Sequence, residues 1–129
     1  MSISPELLEK AVKIHGHLGP FLVLGVRMYL LAERLLGGNV QRCEIEVLDR
    51  TPYLCAVDGI KAVMGNSAVT IRKGRGITAI FKGVKNSEVA LAIKSDVQEK
   101  YANEPWERCE DNAFKVLSED DEDLFEVLA

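Results

Sequence analysis

The segment PFLVLGVRMYLLAERLLGG, residues 20–38, constrains the fold more than any other stretch. Pro20 suits the first position of a helix, where its missing N–H costs nothing, and Gly37-Gly38 suit the end. The segment therefore predicts a helix over residues 20–36. Over its first four turns this helix is apolar around most of its circumference, where a surface helix would show a polar face. A chain of 129 residues can bury few such helices completely. The expected outcome is a homodimer in which Phe21, Leu22, Leu24, Met28 or their neighbours meet a partner subunit. Gly25 costs up to ~1 kcal/mol against Ala inside a helix, which points to another element approaching closely there.

The remaining pattern is that of a single α+β domain, residues 1–129. Ser4-Pro5-Glu6 caps and opens an earlier helix, with Leu7, Leu8, Ala11 and Val12 at helical spacing and Gly16 at its end. QRCEIEVLD (41–49) alternates, with Cys43, Ile45 and Val47 on one side, as a half-buried strand does. Residues 53–65 read as a short extended piece turning into a helix near 57–64. Residues 67–72 and 77–83 alternate around Lys73-Gly74-Arg75-Gly76, which predicts a hairpin. Glu88–Lys94 is a further strand, and Ser95 caps a helix. Another helix starts at Pro105-Trp106, with Trp106, Cys109, Ala113, Val116 and Leu117 on its buried face. EDDEDLFEVL (119–128) closes the chain as a short acidic helix that packs on the core or docks a partner. The expected architecture is a central antiparallel or mixed sheet with N-terminal helices, one of them long and apolar, and C-terminal helices.

Charge and cysteine content narrow the function classes. Sixteen basic against twenty acidic residues leave a net charge of −4, which argues against a nucleic-acid binder. Arg72-Lys73-Gly74-Arg75 reads as a solvated turn. MSISPELLEK carries acids where a secretory signal needs bases and an apolar run, and no segment suits a membrane span. Three cysteines cannot all pair within one chain, which fits a reducing cytoplasm.

Chemistry concentrates in HGHLGP (15–20), which holds both histidines of the chain. On a helix, residues i and i+2 diverge by about 200°, so His15 and His17 could not share a ligand from helical backbone. Gly16 and Gly19 permit a kinked path on which they could. Imidazole nitrogen and thiolate sulfur are both zinc donors, and two His plus one Cys leave a fourth position for water or substrate. Cys55 is the candidate third donor, placed where helix-end amides would lower its thiol pKa. The competing reading is a capped helix–helix turn with one imidazole stacked on the core. Cys43 and Cys109 read as small buried hydrophobes.

HGHLGPFLVLGVRM followed by CAVDGIKAVMGNS resembles the FmdE family, named for one of the subunits of formylmethanofuran dehydrogenase, over roughly residues 8–95. The resemblance implies an α+β homodimer with a metal-associated cavity built from His15, His17, Cys55 and Asp58. It departs from the family pattern at Gly19 and Asn66, where members commonly carry cysteine, and the chain has no CxxC, so the appended zinc ribbon of many members is missing. Two functions follow from the resemblance. One is a metal-dependent subunit or small enzyme of one-carbon (formyl/CO2) metabolism and methanogenesis, with zinc held by His15, His17 and Cys55. There Cys55, Asp58 and His17 would carry the chemistry, Asp58 as orienter or proton acceptor. The other is a non-catalytic assembly or metal-delivery protein for a molybdenum or tungsten oxidoreductase.

Overall fold

The computed structural model describes residues 3–128; Met1 and Ser2, part of the stretch read for a signal, and Ala129 lie outside the described residues. The chain runs α1 (Pro5–His15), α2 (Pro20–Leu36), β1 (Arg42–Val47), α3 (Cys55–Met64), β2 (Val69–Lys73), β3 (Ile77–Lys82) and β4 (Glu88–Ile93). It finishes with α4 (Ser95–Ala102), α5 (Cys109–Ser118), a single turn α6 (Asp121–Leu124) and β5 (Phe125–Val127). Two 3₁₀ turns, Asn66–Ala68 and Trp106–Arg108, precede β2 and α5.

Among the described residues the strands form one mixed sheet in the order β2-β1-β3-β4-β5. β1 and β2 are parallel, as a crossover through α3 requires, and the other pairs are antiparallel. The hairpin expected over residues 67–83 does not form, because β1 lies between β2 and β3. Once α3 carries the chain across, β2 joins the outer edge of β1 and β3 takes its inner edge. The tight hairpin is instead β3–β4, closed by Gly83 and Ser87 with Lys85 and Asn86 in left-handed conformation. Cys43, Ile45, Val47, Ile77, Ala79, Phe81, Val89, Leu91 and Ile93 point to one face and are buried with the helices in a common core. The alternate residues of β1 and β3 form a half-buried to exposed opposite face.

Two expectations need correction. The helix at residues 20–36 is not a long apolar rod awaiting a partner. Arg27 sits buried in its middle, Glu33 and Arg34 give its last turns a polar side, and α3, α5 and β4 of the same chain cover the rest. Phe21, Leu22, Leu24 and Met28 are all 1% exposed or less within one chain, so they cannot form a dimer interface. The acidic terminal helix shrinks to the single turn α6, because Leu124 and Phe125 insert into the core and Phe125 pairs with Ile93 at the sheet edge.

Arg27 accounts for the way the C-terminal segment closes over α2. Its guanidinium donates to the carbonyls of Val116 (2.6 Å) and Glu119 and to the Asp121 carboxylate (2.8 Å). A buried cation is tolerated because carbonyl and carboxylate oxygens replace its water. No helix among the described residues is long and apolar enough to cross a membrane.

Candidate functional site

The path of HGHLGP is settled by two glycines and a proline. α1 begins as expected, with Ser4 Oγ accepting from the Leu7 N–H and Pro5 in the first turn, and ends at His15. Gly16 then turns left-handed (φ 111°), its N–H bonding the Val12 carbonyl, a conformation that side chains rarely adopt. That reversal breaks the helical divergence of residues i and i+2, and the rings of His15 and His17 lie 4.5 Å apart, tilted by 44°. Gly19 caps α2, and Pro20 is its first residue.

The third wall comes from α3. Gly25 on α2 and Gly59 on α3 face each other so closely that a Cβ on Gly25 would overlap the Ala56 carbonyl, and one on Gly59 the Leu22 carbonyl. The close approach expected at Gly25 is therefore real. It brings the N-terminal turn of α3 against the start of α2. Asp58 reaches back to α1, where its Oδ2 lies 2.6 Å from His15 Nδ1. Cys55, the first residue of α3, is 8% exposed and lines the same cavity as both histidines.

The fourth wall was not foreseen. The segment after α4 folds back over the start of α2 and brings Trp106, Cys109 and Asn112 to a cavity of about 240 Å³ shared with His15, His17 and Cys55. The Trp106 ring lies 4.8 Å from that of His17, and the residue is 69% exposed, a cover at the mouth rather than a core side chain. Cys109 is half-buried, not a core hydrophobe, and its thiol donates to the Leu18 carbonyl at 3.5 Å. The sequence carried no signal for this contact, because 91 residues separate the two positions. Asn66 falls in the turn after α3 and does not line the cavity.

With Asp58 accepting from Nδ1–H, His15 Nε2 keeps its lone pair. That atom is buried without a hydrogen-bond partner among the described residues, on a side chain 9% exposed. It is thus a base or a metal donor held in one tautomer by a carboxylate. Burial and the neighbouring His15 lower the pKa of His17, so its ring favours the neutral, donor-competent form. Cys55 departs from expectation: burial, then Asp58 and Cys109, push its thiol up to about 11. The helix-end amide acts in the lowering direction but is outweighed, since desolvation penalises the thiolate more. Burial, with Glu110, also raises Cys109.

The structure brings His15, His17 and Cys55 to one cavity, with Asp58 behind His15. Among the described residues, no three His, Cys, Asp or Glu side chains converge closely enough to hold a metal ion as they stand. Zinc is nevertheless compatible with the residues present: the donors are imidazole nitrogen and sulfur, and the orphaned His15 Nε2 has the carboxylate-backed arrangement typical of ligating histidines.

The fold and this cavity define an α+β domain with a histidine–cysteine pocket where α1, α2, α3 and the α4–α5 segment meet. The sequence profile of FmdE, described as "Molybdenum formylmethanofuran dehydrogenase operon", matches residues 14–126, and the chain belongs to that family. No curated protein matches it.

Proposed function

We propose that this protein binds a divalent metal, zinc in the first instance, through His15, His17 and Cys55. In this reading it serves one-carbon (formyl/CO2) chemistry as a small enzyme or as a subunit beside a larger oxidoreductase. The observation that carries the reading is the buried, unpartnered Nε2 of His15, a residue that lines the cavity and whose other nitrogen is held by Asp58. A bound zinc would polarise a carbonyl or activate water. Around it, Asp58 fixes the His15 tautomer by accepting from its Nδ1–H. Phe21, Pro52 and Trp106 restrict water, and the cavity admits a small substrate. Three free cysteines support a reducing, cytoplasmic setting. A homodimer remains compatible with this reading only through a surface other than the buried side chains of α2.

A metal-delivery or assembly role is the second reading. One observation favours it: three donors do not yet converge, so binding must close the site, as suits a metal that is to be handed on. The test common to both readings is metal titration of the untagged chain. His17→Ala and His15→Ala should each weaken zinc binding roughly tenfold or more with the fold retained. Unchanged affinity in the double variant would overturn the metal site. Slow metal exchange favours the enzyme, and rapid transfer to a chelator favours delivery.

A further inference from the structure

We infer that Cys109 is a second sulfur donor of this site, held in the space that the missing side chain of Gly19 leaves open. This rests on the metal-binding reading above and extends it. A Cβ placed on Gly19 would lie 2.8 Å from Cys109 Sγ and 3.5 Å from His17 Nε2. The sulfur and the imidazole nitrogen thus flank one point at the N-terminus of α2. The backbone at Gly19 is extended (φ −146°, ψ 167°), a conformation open to any residue. A side chain there would press on the sulfur, while the chain path itself does not call for glycine.

The second observation is independent of the sulfur. His15, its side chain nine-tenths buried, lines the same cavity, and its Nε2 has no partner among the described residues. Cys55, from the wall that α3 forms, lines the same cavity as Cys109. Two imidazoles and two thiols make a donor set that selects thiophilic ions such as Zn²⁺ and Co²⁺ over Mg²⁺ or Ca²⁺. Binding would displace the Cys109 thiol proton from its contact with the Leu18 carbonyl and release the thiol protons to solvent. Cys109 tethers the start of α5 beside Trp106, so the same closure would draw the Trp106 cover over His17.

The test uses Co²⁺ on the reduced full chain, reading the sulfur-to-cobalt charge-transfer absorbance in the near ultraviolet against circular dichroism of each variant. Cys55→Ser and Cys109→Ser should each remove about half of that absorbance, since it scales with thiolate ligands, while Cys43→Ser, on β1 away from the cavity, should leave it unchanged. The decisive variant is the exchange Gly19→Cys with Cys109→Ala, which returns a sulfur to the same space from the other side and should restore the absorbance. Full absorbance in Cys109→Ser with loss in Cys55→Ser would overturn the role of Cys109 and leave the three-donor site intact. Failure of the folded wild-type chain to bind Co²⁺ or Zn²⁺ would overturn both.

Discussion

At the scale of single residues, the site depends on how two thiols and two imidazoles are placed. HGHLGP showed both histidines and the glycine that unites them, because a left-handed turn at Gly16 is the local way to make residues i and i+2 converge. For Cys55 the helix position is legible in the sequence, while the burial and the approach of Cys109 that raise its thiol pKa are not. With a thiol pKa near 11, roughly one Cys55 in ten thousand is thiolate at pH 7. In the metal-free protein, half-buried Cys109 should be alkylated first, Cys55 next and fully buried Cys43 last. The Cys55 rate should climb about tenfold per pH unit toward 11, because the raised pKa keeps the unreactive thiol form until then. Mass spectrometry of time points checks the order; rapid neutral-pH labelling of Cys55 would contradict it. Gly19, a departure from the family pattern when read alone, has its space filled by the sulfur of Cys109.

At the scale of elements, the α2–α3 crossing fixes the cavity. Helix propensity alone says that Gly25→Ala or Gly59→Ala should stabilise its helix by up to ~1 kcal/mol. Packing says the opposite, because each new Cβ would strike the backbone carbonyl of the other helix, which cannot swing aside as a side chain can. Overpacking of this kind costs about 3 kcal/mol, so packing wins, and the melting temperature should fall by roughly 10 °C. Metal affinity should fall with it, since Cys55 and Asp58 ride on α3. A Gly59→Ala variant that melts at or above the wild-type temperature would contradict the crossing. Strands β1, β3 and β4 were visible from alternation, but the partner of β2 was not. Alternation gives the faces of a strand, and only the α3 crossover decides which edge it joins.

At the scale of the whole molecule, the strands, the core and the helices after Ser95 follow the sequence pattern, while the packing of the C-terminal quarter does not. Residues 95–128 wrap back over α2, anchored by Arg27 to Val116, Glu119 and Asp121 and by Leu124 and Phe125 in the core. That wrap completes both the burial of α2 and the cavity, which is why neither a partner subunit for α2 nor the place of Cys109 could be read correctly from local spacing. The central claim is that the completed cavity is a nitrogen–sulfur metal site. X-ray absorption at the zinc edge of the zinc-loaded, untagged chain tests it most directly. The expected result is a first shell mixing nitrogen at ~2.0–2.1 Å with sulfur at ~2.3 Å, the sulfur contribution falling in Cys55→Ser and the nitrogen contribution in His15→Ala. A shell of oxygen alone, or one unchanged in those variants, would contradict it.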